Sequence, residues 1–150
     1  MIVTFCGHSE FNKSDEHEMR ILELLTENIG NGNAEIYLGE YGSFDLFAYD
    51  CCKKYKEAHP NISLIFVTPY LTSQYQKSRL NDQSNRFDFV IYPEIENVPL
   101  KFAISYRNRY MIDRADVVIA YVNHKWGGAY RTYRYALNRG KTVFNIASLE

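Results

Sequence analysis

Two short glycine turns stand where the chain could bind an anionic group. Gly42 and Ser43 come at the predicted start of one helix, with Ser43 as its expected cap, and Gly127 and Gly128 precede another. Glycine lets the backbone approach a ligand closely and adopt a positive φ angle. The first turn of a helix presents unpaired N–H groups and the positive end of the helix dipole. Neither turn is a G-x-G-x-x-G or Walker loop, so the pattern predicts an anion site without specifying the ligand.

Arginines and carboxylates supply the other groups able to do chemistry. The segment SYRNRYMID, residues 105–113, lies in a predicted helix. Arg107 could clamp a phosphate through two N–H groups if it faced inward. Arg109 stands four residues before Asp113, a spacing that also fits a surface ion pair. Cleavage of a glycosidic bond needs a carboxylate, and those predicted near strand ends are Glu40, Asp45 and Glu94.

The elements that must position these groups are strands alternating with helices. Strands are predicted at residues 2–6, 34–38, 62–67, 88–92, 116–122 and 141–146, and helices after Ser14, after Ser43, at 101–114 and at 129–138. The strands are apolar along most of their length, which is typical of parallel strands covered on both faces. The sequence therefore predicts one α/β domain over residues 1–150, with a mainly parallel sheet and helices on both faces, in three layers.

In such a sheet, ligands bind beyond the carboxyl ends of the strands, where the strand order switches direction. The residues directly after the predicted strands are therefore the informative ones. They are Gly7 and His8, residues 39–43, Pro69 and Tyr70, and residues 123–128.

The composition and charge of the chain limit the cellular locations and the binding partners to be expected. The chain has 150 residues and a net charge of −1, divided into −6 for residues 1–75 and +5 for residues 76–150. The basic half interleaves Arg with Tyr, which predicts an anionic partner unless the two halves neutralise each other in the fold. No apolar run approaches the roughly 18–20 residues of a membrane span, and the N-terminus lacks the basic region of a signal peptide. We expect no membrane partner.

The cysteines and histidines predict neither a disulfide framework nor a metal site. Cys6, Cys51 and Cys52 are odd in number and form no C-x-x-C pattern. The histidines do not stand at zinc-ligand spacings with them. A reducing cytoplasm is the expected location.

Residues 71–87 form a polar stretch without a clear period, which is long for a connection inside one domain. Three cations against one aspartate give it a charge of +2. We expect this stretch to be a mobile lid that becomes ordered over an anionic ligand.

Five segments, taken in order, resemble a known family. They are FCGHSEF, YLGEYGSFD, VTPY, RNRYMIDRADVVIAYV and HKWGGAYRTYRYALNRGK. Together they resemble a bacterial and phage branch of the SLOG superfamily, which also includes the LOG phosphoribohydrolases and the DNA-processing protein DprA. The resemblance covers the chain from Phe5 to Lys141. It implies a Rossmann-like fold that binds nucleotides or nucleotide-derived ligands.

The LOG enzymes are similar at two motifs. Their Arg-x-x-x-Met motif matches Arg107 and Met111, and their PGGxGTxxE motif resembles the Gly127-Gly128 turn followed by Thr132. If Thr132 is aligned with the motif threonine, Tyr135 stands where those enzymes have their catalytic glutamate. This departure argues against LOG-type hydrolysis.

Two acidic residues follow the second predicted strand. Glu40 stands where relatives tend to have a second glycine, so it would either clash with a phosphate or supply the missing carboxylate. Asp45 matches an aspartate of the family, which implies either a contact with a ligand ribose or only a first-turn acid of a helix.

The leading hypothesis is a protein that binds a nucleotide or a nucleotide-derived small molecule, with its phosphate and ribose in a cleft at the carboxyl edge of the sheet. The expected ligand-binding residues are Gly7, His8, Gly39, Gly42, Ser43, Asp45, Arg107, Gly127, Gly128 and Thr132, and the candidates for stacking the base are Tyr41, Tyr70 and Trp126. No cofactor and no metal are expected, and self-association is left open.

Two alternatives are kept. One is a hydrolase or transferase that acts on the N-glycosidic bond of nucleotides, similar to LOG or to the deoxyribosyltransferases, with Glu40 or Asp45 as its catalytic group. The other is single-stranded nucleic-acid binding similar to that of DprA, through the Arg- and Tyr-rich second half.

Overall fold

Strand β1 (Ile2–Gly7) lies inside a six-stranded sheet in the computed structural model, which describes residues 1–70 and 85–149. The other strands are β2 (Ala34–Leu38), β3 (Ile62–Val67), β4 (Phe89–Ile91), β5 (Val117–Tyr121) and β6 (Thr142–Asn145). Their order is β4-β3-β2-β1-β5-β6. Every neighbouring pair is parallel, which confirms the predicted parallel sheet.

Four helices cover the sheet within the described residues: α1 (Asp15–Ile29), α2 (Ser43–Ala58), α3 (Ala103–Arg114) and α4 (Gly127–Asn138). Helices α1 and α2 pack on one face, and α3 and α4 pack on the other. A short 3₁₀ turn, Leu100–Phe102, leads into α3. Helix α4 begins two residues earlier than the sequence predicts, because the glycine pair already belongs to its first turn.

Alternate side chains of the strands enter two separate cores, one under each helix layer. Phe5, Ile36 and Phe66 pack with α1 and α2, whereas Val118 and Val67 face the layer of α3 and α4. All five side chains are buried. Burial of each is worth about 1.5–3 kcal/mol, so both faces of the sheet need their helices, as the apolar strands predict.

The helix ends follow local chemistry at two predicted positions. The Ser14 hydroxyl accepts a hydrogen bond from the His17 N–H at 3.2 Å and caps α1. Gly140 follows α4 with a φ of 71°, and its N–H donates to the Leu137 carbonyl at 3.0 Å.

The predicted cap at Ser43 is wrong. Ser43 is the first residue of α2, and Gly42 occupies the cap position. The Ser43 hydroxyl accepts from the Phe11 N–H at 2.7 Å and donates to the Ser9 carbonyl at 2.9 Å. It therefore fastens the loop after β1 to the start of α2, because that loop crosses directly over the helix end.

The three cysteines are buried and free. Burial raises the pKa of the Cys6 and Cys51 thiols to about 12, so neither forms a thiolate near neutral pH. None of the described helices has the length and apolar character needed to cross a membrane. The proposed lid over residues 71–87 lies outside the described residues except for its last three positions.

Gly42 and Gly140 provide a matched test of how tightly the first glycine turn is packed. Gly42 has a φ of 106°, and a Cβ atom there would lie 2.5 Å from the Cα of Ser9. Gly140 also has a positive φ but nothing within 4 Å of that position. We expect Gly140→Ala to cost about 1–2 kcal/mol, the usual backbone strain, and Gly42→Ala to cost clearly more. Urea denaturation measures both, and equal losses would contradict the packing at Gly42.

Candidate functional site

The strand order changes direction at β1. The chain places β2, β3 and β4 successively on one side of β1 and then crosses to place β5 on the other. The loops that follow β1 and β5 therefore leave the sheet in different directions and open a crevice between them. A cavity of about 830 Å³ lies there, within the usual size range of small-molecule sites.

Three aromatic rings form a stack along this crevice. The His8 and His124 rings lie 3.7 Å apart between centroids and 13° from parallel. The Trp126 ring stacks on the other side of His124, also at 3.7 Å, with an angle of 23°. His8 is 8% exposed, and Trp126 is 68% exposed. The stack therefore runs from the buried end of β1 to an open indole face.

A backbone contact fixes the state of His8. Its Nε2 accepts a hydrogen bond from the Asn123 N–H at 3.1 Å. Burial is the main cause that lowers the pKa of His8, and the neighbouring His124 lowers it further. His8 is therefore neutral at physiological pH, with its proton on Nδ1.

The start of α4 forms a second side of the cavity. Gly127 has a φ of 90°, and Trp126 at the cap position makes no side-chain cap. Gly128 and Thr132 also line the cavity, although the Thr132 hydroxyl donates to the Gly128 carbonyl at 3.0 Å. Lys101, Arg109 and Arg131 add positive charge around this end.

Arg107 lies at the base of the cavity and is 2% exposed. Its Nη1 donates to the Val67 carbonyl at 2.8 Å and its Nε donates to the Asn108 side chain at 2.9 Å. A Cβ atom at Gly39 would lie 2.9 Å from the Arg107 Cζ. The guanidinium therefore holds the end of β3 and needs a glycine at the end of β2.

Asp45 provides a carboxylate in the same cavity. Its Oδ2 accepts from the Tyr41 N–H at 2.9 Å. Burial raises the pKa of Asp45 to about 6, against the opposing effects of the Arg107 charge and of this hydrogen bond. A carboxyl group with such a pKa can exchange a proton near neutral pH.

Seven of the ten predicted ligand-binding residues line the cavity: Gly7, His8, Asp45, Arg107, Gly127, Gly128 and Thr132. Gly39, Gly42 and Ser43 lie beside it, where they contact Arg107 and the loop after β1. Gly7 has an internal role as well, because a Cβ atom there would overlap the Phe44 ring.

The two carboxylates considered for catalysis occupy different surroundings. Asp45 faces the cavity, whereas Glu40 forms an ion pair with Arg86 and is not among the lining residues. Of the aromatic candidates, Tyr41 and Trp126 line the cavity and Tyr70 does not. Glu94, the third carboxylate near a strand end, is also absent from the lining.

Sequence reasoning did not assign several of the lining residues to the site, among them four cationic or imidazole side chains: Lys101, His124, Arg109 and Arg131. A signal existed for two of them. His124 belongs to the segment after the fifth strand, and Arg131 stands one helical turn after Gly127. Lys101 and Arg109 reach the site only because the helix layer of α3 packs beside α4.

Tyr135, which the resemblance aligns with the LOG glutamate, lines the cavity, but its hydroxyl is bound to another side chain. Its hydroxyl donates to the Asp113 carboxylate at 2.7 Å, and this bond is the main cause that raises the pKa of Tyr135. Asp113 also pairs with Arg139 at 3.2 Å. The alternative of a surface ion pair between Arg109 and Asp113 is wrong. The Arg109 guanidinium instead lies over the Tyr135 ring, 5.3 Å from its centroid.

These features define an open α/β protein of the Rossmann-like type, with a cavity at its switch point. Two solved structures share this fold. One is DNA processing protein A (DprA) from Streptococcus pneumoniae, with a TM-score of 0.64 and 20% identity, covering 95% of this chain and 49% of that one.

The other is DprA from Helicobacter pylori, described for its single-stranded DNA binding mode, with a TM-score of 0.63 and 21% identity, covering 97% of this chain and 64% of that one. The present chain thus spans less than two thirds of either protein. No family model matches the chain, and no curated protein matches it.

The burial of Arg107 leads to a stability test. We expect Arg107→Ala to lower the free energy of unfolding by about 3–5 kcal/mol, because it removes the hydrogen-bond donor to the buried Val67 carbonyl and leaves Asp45 without the opposing charge. Arg109→Ala, an exposed change two residues later, should cost less than about 1 kcal/mol. Urea denaturation of both variants measures the difference, and similar losses would refute a structural role for Arg107.

Proposed function

We propose that the protein binds a nucleotide-derived ligand, carrying phosphate and ribose, in the cavity at the switch point. One observation carries the proposal: the same cavity joins an exposed indole face to a helix start surrounded by cations. The indole suits a base, and the helix start suits a phosphate. The size of the cavity, about 830 Å³, is adequate for such a ligand.

The charges of the cavity support an anionic ligand. Lys101, Arg109 and Arg131 stand on its exposed side, and Arg107 lies at its base, against the two carboxylates of Glu10 and Asp45. In the positive surroundings of α4, a phosphate can accept from backbone N–H groups and from guanidinium groups together. The carboxylates suit the hydroxyl groups of a sugar, which donate hydrogen bonds.

The exposure of Trp126 supports a stacked base. An indole that is 68% exposed contributes little to folding, yet it lies flat on His124. A rigid, flat and open ring is a ready surface for a base, and such stacking is worth about 1–3 kcal/mol.

Titration calorimetry with AMP, GMP, CMP and UMP tests the proposal. We expect Trp126→Ala and Arg131→Ala each to weaken binding about tenfold or more, because each removes one recognition group. The matched controls are Phe89→Ala, at an exposed aromatic residue of β4, and Arg134→Ala, at an exposed arginine three residues after Arg131 in α4. Neither Phe89 nor Arg134 lines the cavity. Unchanged affinity in both site variants would overturn the proposed site.

A second candidate is single-stranded DNA, which the single-stranded DNA binding of the similar H. pylori protein favours. Salt dependence of binding separates the two ligand classes. A mononucleotide neutralises few charges, whereas a strand that neutralises Z phosphates gives a log–log slope of about −0.7Z. An oligo-dT titration with a steep slope, together with weak AMP binding, would favour DNA.

The third candidate, cleavage of the N-glycosidic bond, rests on Asp45. We expect release of free base from nucleoside monophosphates to be undetectable or very slow, because Tyr135 is a phenol held by Asp113 and cannot replace a carboxylate at pH 7. Chromatography of free base measures turnover. Robust wild-type turnover that falls about a hundredfold or more in Asp45→Asn or Glu40→Gln, but not in the exposed Asp50→Asn, would establish an enzyme instead.

A further inference from the structure

We propose that His124 contacts the anionic group of the ligand in its protonated form, so that ligand binding takes up a proton. This inference rests on the proposed function. It assigns a binding role to a residue that follows the fifth strand but was not among the predicted ligand-binding residues. It also explains why two imidazoles are stacked beside a helix start in a cavity suited to anions.

His8 cannot be the residue that accepts the proton. Its Nε2 already accepts the Asn123 N–H at 3.1 Å. Protonation would place a second N–H group against that donor and would break the bond. His8 is also nearly buried, so a charge there would be costly.

His124 is the favourable position for the proton. It lies between neutral His8 and the Trp126 ring, each 3.7 Å away. An imidazolium over an indole face gains a cation–π attraction. Charging both imidazoles would place two positive charges within the stack, so the pair accepts one proton and not two.

His124 stands among positive groups before the ligand binds. The ring stands just before the positive end of α4, and its Cε1 lies 4.0 Å from the Cβ position of Gly127. Its Nδ1 is buried and has no hydrogen-bond partner among residues 1–70 and 85–149. The charged groups around the cavity are Glu10, Asp45, Lys101, Arg107, Arg109 and Arg131.

An anion at the start of α4 would change these surroundings. A phosphate places negative charge beside the helix start and the cations, next to the imidazole ring. His124 can then hold a proton and form a charge-assisted contact with the ligand. Cys6, Tyr41 and Tyr135 also line the cavity; burial raises the pKa of Cys6 to about 12, and the bond to Asp113 raises that of Tyr135.

Calorimetry with AMP at pH 6.5 and 7.5, in pairs of buffers that differ in ionisation enthalpy, counts the protons taken up. The key variant is His124→Phe, which keeps a flat ring between His8 and Trp126 but cannot be protonated. Its matched control is His59→Phe, because His59 also stacks on an aromatic ring, that of Tyr55 at 3.9 Å, and lies outside the cavity lining. The phosphate of AMP itself titrates near pH 6, and this contribution is common to all three proteins.

We expect the wild type and His59→Phe to take up a measurably larger fraction of a proton, at most one, than His124→Phe does. Their affinity should rise by up to about tenfold per pH unit on acidification relative to that variant. Asp45 also has a pKa of about 6, so the comparison is repeated in an Asp45→Asn background. Uptake that persists there and still depends on His124 supports the proposal, and uptake that disappears with Asp45 overturns it.

Two further outcomes are distinguishable. Equal proton uptake by the wild type and His124→Phe would overturn the role of His124 and leave the proposed function intact. No binding of any nucleoside monophosphate by the wild type would overturn both. If His124→Phe fails to fold, the histidine Cε1–H resonances of the wild type decide, because AMP must raise the titration midpoint of His124 and leave that of His59 unchanged.

Discussion

The buried guanidinium of Arg107 ties helix α3 to the ends of the neighbouring strands β2 and β3 at the base of the cavity. It comes from α3, donates to the end of β3 at Val67, and fills the space that Gly39 leaves at the end of β2. A buried charge is tolerated only when hydrogen bonds and an opposite charge compensate its desolvation. The Val67 carbonyl, the Asn108 side chain and the Asp45 carboxylate provide this compensation. The Arg107 charge in turn favours the ionised form of Asp45 and opposes the effect of burial on its pKa.

The parallel sheet could be predicted because each strand can be recognised from its own local sequence. Runs such as residues 2–6 and 62–67 are apolar on both faces, and only a parallel strand between two helix layers satisfies them. The structural roles of the glycines were harder to predict. Gly7, Gly39 and Gly42 make room for Phe44, Arg107 and Ser9. Those partners are 33–68 residues away in the chain, and local sequence gives no sign of them.

The aromatic stack, too, could be predicted only in part from local sequence, because its geometry depends on tertiary structure. His8 and Trp126 each follow a predicted strand, so the sequence indicates that both lie at one sheet edge. The arrangement of both rings around His124 depends on the register of β1 against β5, in which Gly7 pairs with Tyr121. That register brings His8 beside Asn123 and under His124. A shift of one residue would point His8 to the opposite face of the sheet.

The cavity also separates its charges by helix layer, which gives a bound ligand a direction. The carboxylates come from the loop after β1 and from α2, whose layer covers one face of the sheet. Lys101, Arg109 and Arg131 come from the segments around α3 and α4, which cover the other face. A phosphate is therefore attracted to the side of α4 and repelled from the side of α2. Since Asp45 stands on that second side, it faces the cavity from the helix layer opposite α4, whereas Tyr135, which the resemblance aligns with the LOG glutamate, belongs to α4 itself. In the proposed complex, Asp45 would therefore meet the sugar from a different layer of the fold than a carboxylate at position 135 would, so the two positions are not equivalent.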